Sequence, residues 1–373
     1  MKSVYILLFF FSITEAKYLD NHSCKECHDQ IYEEFQSSSH TKSYFNDVLH
    51  RKIANKVSTT KYGCAVCHMP MADNLAELIS GKARPDKNNK THTDAISCFF
   101  CHTIAYVRKS HKFNINTKSK QAKGYKPTLY GRLTKPEDSD KHSSVSNPVY
   151  AKNVCKGCHS HKLNENNVTI FRAMDEKQDS LACIECHMPE IAGGAEKLDK
   201  RARGRHASHK FLGLGDSAFR ATGVDINISI PKGQAGAIMI SLYNKMAHPL
   251  IIQPARVKYL QVRVLRAGKE LWKNYHDNPS EDKAAFFEHS FKGKDGKQII
   301  IPAHATEDLR VNNLQAKETK ILHYKTPPLQ KGDKIEVTLF AQRAKKACQS
   351  VIMIEDAYFT KPLLLKRVET VLP

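Results

Sequence analysis

Five copies of one short pattern, Cys-x-x-Cys-His, constrain this chain more than any other feature of its sequence. They use ten of the eleven cysteines, and a histidine follows the second cysteine in every copy. The copies occupy residues 24–28, 64–68, 98–102, 155–159 and 183–187. This pattern is the attachment signature of a c-type haem, in which the two thiols bond to the porphyrin and the histidine binds its iron. The sequence therefore predicts five covalently attached c-type haems.

The chemistry of the signature assigns a role to each residue in it. The predicted cofactor-binding residues are the paired cysteines Cys24, Cys27, Cys64, Cys67, Cys98, Cys101, Cys155, Cys158, Cys183 and Cys186. The predicted proximal iron ligands are His28, His68, His102, His159 and His187. Zinc sites, thioredoxin-like redox pairs and structural disulfides also use paired cysteines, but none of them needs a histidine directly after each pair. The repetition of the full pattern favours haem.

Further histidines around the five motifs are candidates for the second axial ligand of each iron. Nine of them lie between residues 21 and 210: His22, His40, His50, His92, His111, His142, His161, His206 and His209. Nine candidates exceed the five that complete bis-histidine coordination needs, so counting cannot reveal whether an iron has an open face.

The positions of some candidates narrow their roles. His40 closes a helix-like run over residues 29–39, which sets it at a distance from the first motif, as a distal ligand requires. His161 lies two residues after His159, the fourth proximal histidine. So short a connection cannot reach the opposite face of the same haem, so His161 could be a ligand only of another haem. His206 and His209 are three residues apart, a spacing that puts both on one side of a helix, one as a ligand and the other as a propionate partner.

The first sixteen residues have the features of an export signal. Lys2 precedes an apolar run over residues 4–13, and Thr14-Glu15-Ala16 supplies a cleavage site. The run is ten residues long, against the roughly 20 that a membrane-spanning helix needs. We expect cleavage after Ala16, with an uncleaved anchor as the alternative. The sequence thus predicts an exported, periplasmic protein, free or membrane-associated, with no integral span in the mature chain.

A change of pattern divides the rest of the chain into two predicted domains. Residues 17–221 hold the haem motifs, linked by short helical patterns and polar loops. Residues 222–373 show period-two alternation at 225–230, 238–242, 259–265, 298–301, 319–324 and 334–340, which predicts an antiparallel β-sandwich of immunoglobulin-like type. The predicted fold class is α+β multidomain. Cys348, the eleventh cysteine, is expected to be a buried, inert thiol.

The chain is strongly basic, with 58 lysines and arginines against 38 acidic residues and a formal net charge of +20. Haem propionates would neutralise part of this excess. A basic segment over residues 82–126 fits docking of an acidic redox partner or attraction of an anionic substrate, and a solvated, propionate-pairing surface is the alternative. Nucleic-acid binding is a poor explanation for an exported haem protein.

The chain resembles the multihaem cytochromes of the cytochrome c554 and c-prime type. Its residues 24–40 look like their first-haem segment, 96–102 with Tyr130-Gly131 and His142 like their central part, and 183–189 with 209–213 like their closing haem segment. Residues 244–256 resemble a family string in which a histidine and a proline precede a strand, here with Ala247-His248 where Gly-His is usual. The resemblance implies closely spaced, mostly bis-histidine haems. It favours His40, His142 and His209 as distal ligands, then His92 and His206, with His111 as a substitute.

Two functions of different classes follow from these residues. The first is a respiratory electron-transfer protein whose partners are redox proteins, acidic or membrane-associated donors of the quinol-oxidising type. The second is a reductase of a small nitrogen or sulfur compound, which needs one iron with an open face and basic residues to hold the substrate. All five motifs are plain Cys-x-x-Cys-His, and no set of catalytic acid, base and nucleophile is identifiable, so electron transfer is favoured.

Overall fold

The computed structural model describes residues 18–108, 113–117, 126–173, 182–194, 203–250 and 253–373. The predicted export signal, His111, the side chain of His161 and part of the basic segment lie outside the described residues. Within the described ranges, no helix is both long and apolar enough to span a membrane.

Short helices carry the haem motifs. The helices of the motif-bearing half are α1 (Asn21–Lys25), α2 (Asp29–Ser37), α3 (Val48–Val57), α4 (Ala65–His68), α5 (Leu75–Ser80), α6 (Lys90–Thr93), α7 (Cys98–His102), α8 (Val149–Lys152), α9 (Lys156–His159), α10 (Cys183–His187) and α11 (Ser217–Ala221). In a helix, residues three and four apart lie on one face, so each turn presents both thiols and the histidine to the same side. The predicted helix at 29–39 is present as Asp29–Ser37, and a 3₁₀ turn, Ser39–Thr41, carries His40.

Paired short strands connect these helices, where the sequence indicated only helical patterns and polar loops. They are β1 (Ile104–Arg108) with β2 (Phe113–Asn116), β3 (Thr128–Gly131) with β4 (Ser143–Ser146), β5 (His161–Leu163) with β6 (Thr169–Arg172), and β7 (Glu190–Ala192) with β8 (Arg205–Ala207). The β3–β4 pair is parallel and the other three pairs are antiparallel. His206 lies in β8, so the helix assumed for His206 and His209 is wrong.

Two antiparallel sheets form the C-terminal half, as predicted. The smaller has the order β16-β10-β9, and the larger has the order β14-β13-β11-β17-β18, with β12 beside β11 and β15 beside β13. The strands are β9 (Val224–Ser229), β10 (Ala237–Asn244), β11 (Val257–Arg266), β12 (Lys269–Lys273), β13 (Phe286–Lys292), β14 (Gln298–Ile299), β15 (Glu307–Asn312), β16 (Thr319–Lys325), β17 (Lys334–Gln342) and β18 (Leu363–Val371). Five of the six alternating segments of the sequence are strands, and of the sixth, 298–301, only Gln298–Ile299 is a strand. Strands β12, β13, β15 and β18 were not predicted.

The main hydrophobic core lies between these two sheets. Ile240 and Leu242 of the smaller sheet meet Val262 and Leu339 of the larger one, and all four are at most 1% exposed. Alternate residues of β10 are buried, as the period of a strand requires. The β domain is therefore held by its own apolar core.

An apolar junction joins the two halves of the molecule. Two helices, α12 (Lys346–Ile352) and α13 (Ala357–Thr360), lie between β17 and β18. Leu49 and Ile53 of α3 pack against Cys348 and Ile352 of α12. Cys348 is 1% exposed, as expected, and burial raises the pKa of its thiol to about 11. The helix that carries His50 thus rests on the β domain.

Candidate haem-binding site

Every motif histidine faces a second histidine ring. Four of the pairs have similar separations between ring centres. These are His28–His142 at 6.3 Å, His102–His209 at 6.3 Å, His159–His40 at 6.0 Å and His187–His248 at 6.2 Å. An imidazole–metal bond is about 2 Å long, so two rings on opposite faces of one metal ion have centres roughly 6 Å apart. The chain thus sets these rings at the spacing of two axial ligands.

Backbone hydrogen bonds orient several of these rings. The Nδ1 atoms of His102 and His209 lie 2.7 and 2.8 Å from the carbonyl oxygens of Tyr130 and Ala207. An Nδ1–H that donates to a carbonyl fixes the tautomer in which Nε2 keeps its lone pair. This is the second contact that metal-binding histidines in proteins usually make, and it leaves Nε2 available to an iron.

Burial keeps the imidazoles of His40 and His209 neutral. It lowers the pKa of His40 to about 3 and, together with the nearby His102, lowers the pKa of His209 to about 4. The neutral ring is the form that binds a metal ion. Nδ1 of His40 is also buried without a hydrogen-bond partner in the described structure. A buried polar atom of this kind is costly unless it meets a further group, so the pocket fits a cofactor.

The second motif has a different surrounding. The rings of His68 and His50 have centres only 3.9 Å apart, too close for one iron between them. Nε2 of His50 lies 3.0 Å from the hydroxyl of Tyr62, whose side chain is 1% exposed. Tyr62 in turn packs edge-on against Tyr44, with ring centres 4.7 Å apart. His50 is therefore held by a phenol and lies outside the axial position that the other four partners occupy.

Two of the predicted distal ligands lie elsewhere. Nδ1 of His92 accepts a hydrogen bond from the backbone of Asp86 at 3.0 Å, and Nε2 lies 2.8 Å from Oδ1 of Asn74. His206 directs Nδ1 to the Gly193 carbonyl at 2.9 Å and Nε2 to a carboxylate oxygen of Glu34 at 3.0 Å.

These contacts engage both nitrogens of each ring, which leaves no lone pair for an iron. The sequence shows that both residues are histidines, but their hydrogen-bond partners depend on the fold and cannot be read from it. His22 lies edge-on to Tyr32, with ring centres 6.5 Å apart.

Sequence reasoning also omitted one partner from its list of candidates. His248 faces His187, yet it lies in the β domain, beyond the 21–210 range in which histidines were collected. The signal that could have found it was the Ala247-His248-Pro249 string, which the family resemblance had already singled out.

Contacts between thiols give the spatial order of the motifs. All eleven cysteines are free of disulfides. Cys24 of the first motif contacts Cys98 of the third. In the fourth motif, Cys158 contacts Cys67 of the second motif, and Cys155 contacts Cys183 of the fifth. Cys101 of the third motif lies near the fourth as well. The fourth motif therefore lies at the centre, next to the second, third and fifth.

Two cationic side chains of the β domain are candidates for contact with haem propionates. Nε of Arg256 is buried without a hydrogen-bond partner in the described structure, and Nζ of Lys258 donates to the carbonyl of Leu250. Burial, with the nearby Arg256, lowers the pKa of Lys258 to about 7. Buried cations of this kind need an anionic partner, and haem propionates would supply one.

Comparison with known proteins finds a sequence match over part of the chain and a similar fold over most of it. Residues 23–103 match the family model described as Cytochrome c554 and c-prime. The fold is similar to that of a penta-heme cytochrome c552 from Thermochromatium tepidum, with a TM-score of 0.77 and 20% identity over 95% of this chain and 99% of that one. No curated protein sequence matches the chain.

Two other solved structures overlap only part of the chain. A Bacteroides uniformis beta-glucuronidase 2 has 15% identity and covers 40% of this chain and 13% of its own. A superoxide reductase in the oxidised state has 9% identity and covers 40% of this chain and 86% of its own. Both have TM-scores of 0.17, so neither bears on function.

Proposed function

We propose that this chain, a multihaem c-type cytochrome with five covalently attached haems, transfers electrons between redox partner proteins. The observation that carries the proposal is the pairing of motif histidines with second histidine rings about 6 Å away. When bound, haem iron supplies one-electron chemistry by changing between its ferric and ferrous states. The other parts of the function depend on the protein residues that hold the haems.

The ten paired cysteines attach the haems and the five motif histidines are their proximal ligands. For three haems we assign the distal ligands as His142 opposite His28, His209 opposite His102 and His40 opposite His159. His92 and His206 are not among them. With a haem between them, the two imidazoles of each pair would fill both axial positions and leave none for a substrate. This ligation suits a protein that passes electrons on without changing a substrate.

The packing of the motifs supports passage between sites. The fourth motif contacts the second and fifth and lies near the third, which contacts the first through Cys98. Every motif thus has at least one neighbour, and a path exists from the first motif to the second or the fifth. Burial keeps His40 and His209 neutral, which is the form that an iron would bind.

The cellular setting belongs to the same proposal. The N-terminal sequence supports export to the periplasm, where c-type haems serve respiratory chains. The excess of basic residues supports docking of partners with acidic surfaces, among them membrane-associated, quinol-oxidising donors.

A spin-state measurement tests the proposal. Low-temperature EPR of the oxidised holoprotein, with and without cyanide, scores each ferric iron as low-spin or high-spin. Low-spin signals that cyanide does not change are expected for the haems of the first, third and fourth motifs. High-spin signals from three or more irons would overturn the assignment of electron transfer, because at least one of them would have to come from these three haems.

A second function is favoured by one observation, the position of His50. The ring centres of His50 and His68 are 3.9 Å apart, and Nε2 of His50 lies 3.0 Å from the Tyr62 hydroxyl, so a haem at the second motif would have a histidine–phenol pair beside it and no second histidine at axial spacing. Arg84 donates to the hydroxyl of Tyr44 at 2.9 Å, which places a cation beside the same cluster. A small anion bound at this iron would meet proton donors and a positive charge, as a reductase of a nitrogen or sulfur compound requires.

The same spectra separate the two functions. One high-spin signal that shifts when cyanide is added, and that is altered in Y62F, would identify an open second haem and favour the reductase. Its absence would rule out an open second haem and leave electron transfer as the proposed function. Y106F is the matched control, because Tyr106 is 56% exposed on β1.

A further inference from the structure

We propose that His248 of the β domain is the distal ligand of the fifth haem, so that this cofactor is held by both domains. The inference rests on the proposed function, because it needs the haem at residues 183–187. The geometry that motivates it is the pair His187–His248, with ring centres 6.2 Å apart and planes inclined by 21°. Rings in direct contact would lie nearer, as the second motif shows with 3.9 Å.

Both rings of the pair are oriented by carbonyl groups. Nδ1 of His248 lies 2.9 Å from the carbonyl oxygen of Pro249, and Nδ1 of His187 hydrogen-bonds to the carbonyl of Leu212. In each ring an Nδ1–H donor leaves Nε2 with its lone pair. The arrangement repeats the one at His102 and His209, which belong to a different haem.

The backbone that carries His248 is fixed by the β domain itself. Asn244, at the end of β10, is fully buried, and its amide donates to the carbonyls of His248 at 3.0 Å, Leu314 at 3.1 Å and Gln315 at 2.8 Å. Leu250 then bonds to the Leu314 carbonyl through its amide at 2.9 Å. A ligand held by such contacts is placed before any metal arrives.

The haem-domain side is tied to the same domain. Phe219 of α11 lies 5.2 Å from His187, measured between ring centres, and Arg220 donates to the carbonyl of Leu364 in β18 at 2.8 Å. The two histidines therefore face each other across a junction that is packed on both sides. Burial lowers the pKa of His248, which keeps the ring neutral.

The first test removes the imidazole and returns it from solution. In oxidised H248G holoprotein, EPR should show a new high-spin ferric signal equal to about one of five irons, and added imidazole should convert it back to low-spin. H323G is the control, because His323 is an exposed histidine of the neighbouring strand β16. Five haems with spectra unchanged from the wild type would overturn the proposal.

A second variant covers the case in which H248G does not fold. H248M offers another axial ligand, and a methionine–histidine iron has a higher reduction potential than a bis-histidine iron. Spectroelectrochemical titration of H248M should therefore show one potential raised and four unchanged, and an unaltered set of five would refute the assignment. The proposed electron-transfer function is tested on the wild-type spectra alone. A failure of the His248 assignment can therefore be told apart from a failure of the proposed function.

Discussion

Glu34 on α2 is expected to hold the segment that presents His209. Its side chain is 6% exposed, and its two oxygens are 3.0 Å from Nε2 of His206 and 2.8 Å from the amide nitrogen of His209. Each hydrogen bond to a carboxylate contributes about 1.5–3 kcal/mol, and E34A removes two of them. We therefore expect E34A to lower the free energy of unfolding by about 3–5 kcal/mol.

The neighbouring residue provides a matched control. Glu33 lies on the same helix and pairs with Lys25 at 2.7 Å, but the two side chains are 64% and 40% exposed. Exposed pairs contribute about 0–1 kcal/mol, so E33A should change stability little. Helix propensity changes equally in both variants and cancels in the comparison.

The assay is guanidinium unfolding of the oxidised holoprotein, followed by circular dichroism and by haem absorbance. E34A should lower the midpoint at an unchanged slope, which indicates a change of stability rather than of compactness. EPR should at the same time show a disturbed signal from one haem, the one whose proximal ligand is His102. If E34A lay within about 1 kcal/mol of E33A, the reasoning on Glu34 would be wrong.

Three further changes test other parts of the structure. H40M should alter one low-spin signal and raise one reduction potential, that of the haem whose proximal ligand is His159; unchanged EPR spectra and potentials would remove His40 from the ligand set. F287A should lower the free energy of unfolding by about 3–5 kcal/mol, because Phe287 is 0% exposed in the β-domain core; denaturant titration measures this. The Arg266 guanidinium holds the pKa of Asp333 at about 2, below its usual 3.8, so the pair stabilises the fold above pH 4 and loses that effect as the pH falls towards 2. Stability measured from pH 2 to 5 should fall less steeply in D333N than in the wild type.

The haem attachment sites could be predicted because each is complete within five residues. The two thiols and the histidine are brought together by one helical turn, so no distant part of the chain is needed. The alternating strands of the β domain were predictable for a similar reason, since β10 buries every second residue. By contrast, β15 is mostly exposed and shows no alternation, and the short pairs of the motif-bearing half are too brief to show a period.

The distal ligands depend on tertiary structure and were only partly predictable. His142, His209 and His40 were favoured by resemblance, and their rings do lie opposite motif histidines, but nothing local distinguishes them from His92 or His206. The difference lies in hydrogen bonding, because both ring nitrogens of His92 and of His206 contact polar groups of the protein.

The ring pairs also bear on the order in which the molecule can mature. Covalent attachment needs only a five-residue segment, whereas three of the facing histidines follow their partners at a distance: His142, His209 and His248. Such late, non-local contacts form slowly, and a chain grows from its N-terminus. A chain ending at residue 221 would carry all five motifs, yet His187 would lack the ring that faces it. With His248 as its distal ligand, the fifth haem would complete its ligation only after the β domain has folded.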